Sequence, residues 1–131
     1  MIKIYIDAAT NQTKQISAGG MVLIEDKMQQ QTHHLLASET NNEAEFEMMV
    51  IALRHCLENN WQNQTIFIYT ESRIVYSSIQ KEYAKEPKFN HHLEQILELM
   101  THFDLLFIEW IDEKLNKGAD NLARQALQKY Y

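Results

Sequence analysis

The chain opens with a strict alternation of apolar and polar positions. Residues 2–8 read IKIYIDA, with isoleucine at every second place of the first five, which is the period-two pattern of a half-buried β-strand. Two more strands are expected at residues 18–25 and 31–38, because the polar connections between the three runs are short enough for antiparallel hairpins. The first third of the chain is therefore predicted to form a three-stranded meander.

Helical character replaces this alternation after residue 43. Residues 43–58 are rich in helix formers and apolar on nearly all sides, which is typical of a helix buried on more than one side. Pro87 marks a break between two later helices. The remaining elements are predicted as two short strands, at residues 65–70 and 105–110, and three helices, at residues 73–83, 89–102 and 116–130.

The resulting order, β-β-β-α-β-α-α-β-α, indicates an α/β fold. Three meandering strands followed by strand–helix alternation predict one mixed five-stranded sheet flanked by helices, with three antiparallel strands and two added in parallel. The sequence contains no internal repeat, low-complexity run or linker, so a single domain is expected over residues 1–131.

Composition narrows the class of protein. Hydrophobic residues make up 45% of the 131 positions, against 3 glycines and 1 proline, which favours a globular core. No apolar run approaches the roughly 20 residues that span a bilayer, and the N-terminus lacks the pattern of a secretory signal. A single cysteine, Cys56, cannot form an internal disulfide and is expected to pack as a small hydrophobe. We therefore expect a cytoplasmic monomer without a membrane partner.

Four acidic residues stand at the ends of predicted elements. Asp7 and Glu71 follow strands, whereas Glu45 and Asp120 lie in the first turns of helices. If the two strands are parallel neighbours, their carboxyl ends form the crevice in which open α/β sheets bind ligands. Each acid also has a purely structural reading. Glu45 fits a capping box with Asn42, Asp120 fits the helix dipole, and the other two fit turns that follow strands.

Four short motifs carry a resemblance to a known family. In chain order they are IYIDAAT, TNNEAE, YTESRIV and NKGADNLARQAL, and they run almost from end to end. The chain resembles ribonuclease H type 1, and more closely its compact bacterial, reverse transcriptase-like members. In that family an Asp closes the first strand, NNxxE opens the first helix, TDS follows the fourth strand and N-x-x-x-D-x-LA opens the last helix. Each motif alone is a weak signal, but four in order on the matching elements favour a ribonuclease H-like fold.

The resemblance implies endonucleolytic, metal-dependent hydrolysis of the RNA strand of RNA–DNA hybrids. The catalytic and metal-binding residues that it implies are Asp7, Glu45, Glu71 and Asp120. Carboxylate oxygens suit Mg²⁺, and two ions are expected with substrate. By the same resemblance, two asparagines approach the minor groove, where 2′-hydroxyls distinguish RNA from DNA, and two hydroxyl groups hold a backbone phosphate. The implied substrate-binding residues are Asn41, Asn42, Thr70, Ser72 and Asn116.

The chain departs from the family pattern in ways that bear on catalysis. Glu71 replaces the usual Asp, and its extra methylene moves the carboxylate by roughly 1.5 Å, which disturbs Mg²⁺ more than Mn²⁺. The usual Gly-Asn-Pro-Gly turn after the first acid is absent, the segment before Asp120 has no histidine, and little room is left for a basic protrusion. Because the net charge is also −6, from 12 basic and 18 acidic residues, weak and metal-dependent substrate binding is expected.

Competing interpretations concern the function of the chain and a possible zinc site at its histidine pairs. The departures favour, as an alternative, a ribonuclease H-fold protein with weakened catalysis that acts as a nucleic-acid-binding or regulatory module. A different nuclease of the same broad fold is a third reading, against which the NNxxE and N-x-x-x-D-x-LA motifs argue. The histidine pairs at residues 33–34 and 91–92 are expected at the surface rather than on zinc, because adjacent side chains on a strand or helix point in different directions.

Overall fold

The computed structural model describes residues 1–130 and shows one mixed sheet with helices on both faces. Its strands are β1 (Ile2–Asn11), β2 (Ile16–Glu25), β3 (Met28–Leu36), β4 (Thr65–Thr70) and β5 (Leu105–Trp110). Its helices are α1 (Asn41–Glu58), α2 (Arg73–Lys81), α3 (Pro87–Met100) and α4 (Lys117–Tyr130), and a 3₁₀ turn at Glu113–Leu115 precedes α4. Of the domain predicted over residues 1–131, Tyr131 lies outside the described residues.

The strand order is β3-β2-β1-β4-β5, which places β1 at the centre of the sheet. β1 pairs antiparallel with β2 and parallel with β4, while β2 pairs antiparallel with β3 and β4 parallel with β5. The predicted mixed five-stranded sheet is confirmed. The parallel pairing of β1 with β4 ends where Tyr5 lies opposite Tyr69, although β1 continues beside β2 as far as Asn11. The two central strands therefore diverge just before Asp7.

The hydrophobic core lies mainly between the sheet and the helices α1 and α3. The alternating isoleucines of β1 are fully buried in it, as the period-two pattern predicts. The rings of Phe46 on α1 and Phe89 on α3 stack with centroids 4.9 Å apart, which joins the two helices over the sheet. A smaller cluster on the opposite face packs α4 against β2 through Val22, Ala119 and Leu122. Both faces of the central strands are thus covered.

Several boundaries differ from the sequence-based expectations by one to three residues, and two of these shifts have a clear physical reason. β3 begins at Met28, three residues earlier than predicted, because residues 29–31 are exposed glutamines on an edge strand and carry no apolar signal. α1 begins at Asn41 and is capped by Thr40, whose hydroxyl accepts a hydrogen bond from the Glu43 amide at 3.4 Å. The capping reading of Glu45 is therefore wrong, and its carboxylate is not used at the helix terminus.

Candidate active site

The four predicted acids come together at one end of the central strands. Asp7 lies within β1 rather than at its end, in the stretch that has already separated from β4, and Glu71 directly follows β4. Glu45 and Asp120 lie in the first turns of α1 and α4. Glu45, Glu71 and Asp120 each affect the ionisation of the Asp7 carboxyl group, so all three lie close to it. Asp7 is thus the centre of the cluster.

Two consecutive glycines in β2 allow both helices to approach this centre. A β-carbon added at Gly19 would meet Met48 of α1, whose Cγ would lie only 2.6 Å away. One added at Gly20 would collide with the main chain of α4, where the nitrogen of Ala123 would lie 2.7 Å away. Because Gly20 is also the strand partner of Asp7, the missing side chains let α1 and α4 close on the sheet from opposite faces beside that acid.

The inner two acids are deeply buried. Asp7 is 2% and Glu45 4% exposed. Burial raises the pKa of Asp7 above its usual range, and the nearby charges of Glu45 and Glu71 raise it further. Burial likewise raises the pKa of Glu45, with Glu71 adding to the effect. The outer acid Glu71 has a pKa raised by burial, against which the hydrogen bond from Asn116 acts. Without cations, the raised pKa values of Asp7, Glu45 and Glu71 therefore favour their protonated forms.

The outer two acids each have a side-chain partner. Glu71 Oε2 accepts a hydrogen bond from Asn116 Nδ2 at 3.2 Å, and the Glu71 carbonyl accepts one from the Trp110 indole at 3.0 Å. Asp120 Oδ1 accepts from Arg124 Nε at 3.1 Å, one helical turn along α4. These contacts set the positions of two carboxylates that are only half-buried.

The donor atoms of the cluster fit a hard divalent cation. All four candidate ligands are carboxylates, the class of ligand that Mg²⁺ and Mn²⁺ prefer. Glu45 Oε2 is buried and has no hydrogen-bond partner within residues 1–130, which leaves one oxygen for a ligand. In the same residues, no three Asp, Glu, His or Cys side chains form a preformed metal-binding group. The acids meet as pairs around Asp7, so a bound cation would draw them closer together.

An open groove of about 400 Å³ runs beside the acids. It is lined by Asn41, Asn42, Glu45, Glu71, Ser72, Arg73 and Ile74. The two predicted minor-groove asparagines are exposed in it, at the start of α1. Ser72 reaches the groove as well, although its hydroxyl also caps α2 by accepting from the Val75 amide at 3.2 Å. Three of the predicted substrate contacts thus border the acids.

The other two predicted substrate contacts lie behind the acids instead. Thr70 is fully buried, and its hydroxyl accepts a hydrogen bond from the Ser72 amide at 3.1 Å. Asn116 is 1% exposed and donates to the carbonyl of Ile6 as well as to Glu71. In this structure neither side chain lines the groove, because Thr70 bonds to the turn after β4 and Asn116 bonds to the middle of β1 and to Glu71. Both side chains are therefore buried behind the acids, and contact of either with a substrate stays a prediction.

Sequence reasoning missed the one charged side chain of the groove that is not an acid, Arg73. Its guanidinium group lies 4.1 Å from the centre of the Trp110 ring, next to Glu71. Among the described residues that line the groove, Arg73 is the only cation. The sequence signal was present, since Arg73 directly follows the Glu71-Ser72 motif, but its contact with Trp110 across 37 positions was not predictable from spacing. A cation–π contact of this kind fixes the guanidinium in place.

The side chains set aside as non-catalytic lie away from the cluster. His33 is exposed on β3, while the half-buried His34 shares a hydrogen bond with the Thr32 hydroxyl at 2.9 Å. Cys56 is a fully buried free thiol, as expected for a small hydrophobe, and burial raises its pKa to about 12. Within residues 1–130, no helix is both long and apolar enough to cross a bilayer.

Comparisons with known proteins agree with this geometry. The family model described as reverse transcriptase-like matches residues 5–126. A protein of Enterococcus faecalis named "Putative hydrolase EbsB" is 44% identical over 131 residues, which cover 100% of this chain and 97% of that protein.

Solved structures of low sequence identity share the fold. RNase H1 from the halophilic archaeon Halobacterium salinarum superposes with a TM-score of 0.86 at 23% identity, covering 98% of each chain. LC11-RNase H1, isolated from compost and solved in complex with an RNA/DNA hybrid, superposes with a TM-score of 0.87 at 23% identity over 99% of each chain. Matched by fold, by family model and by a close relative, the chain belongs to the ribonuclease H family, among its reverse transcriptase-like members.

Proposed function

We propose that the chain hydrolyses the RNA strand of RNA–DNA hybrids endonucleolytically and depends on divalent cations to do so. The observation that carries the proposal is the meeting of Glu45, Glu71 and Asp120 around the buried Asp7. Gathering four carboxylates in a partly buried place costs folding free energy, because burial and like charges both oppose ionisation. Cations that bind there would offset this cost, which gives the cluster a function that the fold itself does not need.

The four carboxylates would hold two Mg²⁺ ions, and Mn²⁺ is expected to serve better because it tolerates the longer side chain of Glu71 more easily. When bound, such cations activate the attacking water and stabilise the departing 3′ oxygen. The chain contributes the positions of the acids and an adjoining groove. On this mechanism no serine or cysteine nucleophile is required, and the hydroxyl of Ser72 is free to cap α2.

The groove supplies the substrate contacts. Asn41 and Asn42 present exposed amides that can both donate to and accept from 2′-hydroxyl groups. Ser72 and Arg73 lie on the other side of the groove, where the guanidinium offers a positive charge to a phosphate of the backbone. The likeness to LC11-RNase H1, whose structure contains an RNA/DNA hybrid, supports a hybrid as the ligand. The relative from E. faecalis, named as a hydrolase, supports the reaction class.

We also propose that the protein acts in the cytoplasm and as a monomer. A cytoplasmic monomer suits a chain whose single cysteine, Cys56, is buried and free. The overall charge of −6 would keep affinity for nucleic acid modest and strongly dependent on the cations in the site.

The direct experiment is cleavage of a labelled RNA–DNA hybrid, with Mg²⁺ and Mn²⁺ in parallel. We expect the RNA strand to be cut internally, faster with Mn²⁺, and Asp7→Asn to abolish the cutting. Asp104→Asn is the matched control, because it makes the same chemical change at an exposed acid just before β5, at the opposite end of the parallel strands. Cutting that survives Asp7→Asn would show that a different site, or a contaminant, is responsible.

A second candidate function is a nucleic-acid-binding or regulatory module whose catalysis has weakened. The presence of Glu71 in place of Asp and the absence of a preformed metal-binding group among residues 1–130 favour it. Hybrid binding measured by fluorescence anisotropy separates the two. Tight binding without cleavage under either metal would establish the module, and cleavage would exclude it.

A further inference from the structure

Asn116 connects the supports of three of the four acids. It lies between the 3₁₀ turn and α4, and its main-chain oxygen accepts a hydrogen bond from the Asp120 amide at 3.1 Å. Its side-chain Nδ2 donates to the Ile6 carbonyl at 2.8 Å, directly before Asp7, and to Glu71 Oε2 at 3.2 Å. One residue therefore contacts the middle of β1, the carboxylate that follows β4 and the first turn of α4.

Burial of the Asn116 side chain costs free energy of folding, and packing alone does not explain why a polar residue lies there. Asn116 is 1% exposed, and its Oδ1 has no hydrogen-bond partner in the described part of the chain. A buried amide oxygen without a partner is unfavourable, and an apolar side chain of similar volume would avoid the penalty. What the apolar side chain would lack is the pair of N–H donors, which are the atoms that Asn116 uses here.

The hydrogen bond from Asn116 acts on the residue in which this site departs from the family pattern, Glu71. The Glu71 main chain is fixed, because its carbonyl accepts from Trp110, but the side chain has one more rotatable bond than an aspartate. The hydrogen bond from Asn116 Nδ2 to Oε2 selects one of the additional side-chain conformers of Glu71. Because the donor is a neutral amide, it leaves the negative charge of the carboxylate available to a cation, whereas Lys or Arg in the same place would neutralise it.

We propose that Asn116 is a positioning residue that adapts the site to Glu71, by holding the longer carboxylate where a divalent cation can bind it. The inference rests on the proposed function in one respect, that the acids bind divalent cations. It assigns Asn116 a role behind the acids instead of contact with the substrate. It also implies that the side chain of an aspartate at position 71 would be too short to accept a hydrogen bond from the Asn116 amide.

Calorimetric titration with Mn²⁺ in the absence of nucleic acid tests the proposal through a double-mutant cycle. The four proteins are the parent, Asn116→Ala, Glu71→Asp and the double variant. We expect Asn116→Ala to weaken Mn²⁺ binding about tenfold when residue 71 is Glu, and to have little further effect when it is Asp. A purely structural role for Asn116 would lower the melting temperature and leave the loss of affinity the same in both backgrounds, which would overturn the proposal.

The outcomes also separate this inference from the proposed function. A parent that binds no Mn²⁺ would overturn both, whereas a parent and an Asn116→Ala variant that bind equally well would overturn only the positioning role. If Asn116→Ala does not fold, the side-chain amide signal of Asn116 in ¹H–¹⁵N spectra carries the test on the folded parent and Glu71→Asp. We expect that signal to shift on Mg²⁺ addition to the parent and to differ in Glu71→Asp. An unchanged signal in both comparisons would contradict the proposed hydrogen bond between Asn116 and Glu71.

Discussion

The four acids form two pairs that are held in place by different means. The inner pair, Asp7 and Glu45, is almost completely buried and is positioned by close packing of the strands and helices around it. The outer pair, Glu71 and Asp120, is half-buried, and each member is held by a side chain, Asn116 or Arg124. Packing fixes the inner carboxylates but leaves their charges buried, whereas the outer carboxylates are held by single hydrogen-bonding partners and remain partly open to water, which stabilises their charges. The inner pair should therefore dominate both catalysis and electrostatic strain.

The largest expected effect comes from neutralising the inner pair. Asp7→Asn should reduce hybrid cleavage by at least about 1000-fold, and Asp120→Asn should reduce it less, because Asp7 is buried among the other acids whereas Asp120 is half-buried. In metal-free buffer Asp7→Asn should also raise the melting temperature more than Asp120→Asn does, since it removes the carboxyl group whose ionisation is most strongly opposed by folding. Cleavage assays and thermal melts of both variants check this. Equal effects of the two substitutions would remove the distinction between inner and outer acids.

The second prediction concerns the packing that creates the inner pair. Gly20→Ala should destabilise the protein by about 2–4 kcal/mol, because the new methyl group meets the main chain of α4, which cannot move without carrying Asp120 away from Asp7. Gly19→Ala should cost less, since it meets the flexible side chain of Met48. Gly118→Ala is the control, with its β-carbon 3.3 Å from Val22 and no main chain in contact. Urea unfolding measures all three, and a Gly20→Ala protein as stable as Gly118→Ala would disprove the account.

This packing also marks the limit of what the sequence predicts. The sheet follows from the alternation in β1 and the β-rich runs TIFIYT and LLFIEW, since each pattern directly reflects which face is buried. The motifs placed the four acids at element ends, and their convergence follows from parallel pairing of β1 with β4. The support of the site was not predictable in the same way. Gly19 and Gly20 look like ordinary strand interruptions, and their role depends on helix residues 29 and 99 positions later, Met48 and Ala119.

The substrate contacts show the same limit at the level of single residues. The motif alone groups Thr70 and Asn116 with residues that reach the groove, but the structure buries both. Whether a polar side chain faces the groove or the core depends on the strand register and the helix entry angle, which short motifs do not encode. The cap of α1 illustrates this too. Both Thr40 with Glu43 and Asn42 with Glu45 fit the spacing of a capping box, and the structure uses the first pair.

The third prediction uses pH to measure the strain of the inner pair. Since burial raises the pKa of Asp7 and Glu45 in the folded state, the folded protein binds more protons than the unfolded chain above about pH 4. The stabilisation by protonated carboxyl groups is complete below the unfolded pKa values and is lost as pH rises toward the folded ones. In metal-free buffer the melting temperature should therefore fall by about 5 °C or more between pH 5 and pH 8. Asp7→Asn should flatten this slope, and a slope unchanged in the variant would place its origin elsewhere.

The fourth prediction addresses Glu71 of the outer pair. Glu71→Asp should lower Mg²⁺-supported cleavage by about tenfold, although it restores the residue typical of the family, because the shorter side chain retreats from Asn116 by roughly 1.5 Å. Measuring the cleavage rate across a range of Mg²⁺ concentrations separates weaker cation binding from slower turnover. A gain in activity would mean that the glutamate is a defect to which the site has not adapted.

The smallest expected effect tests the other outer acid. Arg124→Gln breaks an exposed ion pair, with side chains 70% and 31% exposed, so stability should change by no more than about 0.5 kcal/mol. Because the change frees Asp120 from a competing cation, Mn²⁺ affinity should stay the same or rise about twofold. Lys129→Gln removes the same charge from the same helix without contact to an acid of the site, and it corrects for the change in overall charge. If Arg124→Gln loses Mn²⁺ affinity relative to Lys129→Gln, then Arg124 positions Asp120 as strictly as packing positions Asp7, and the two pairs are not held differently after all.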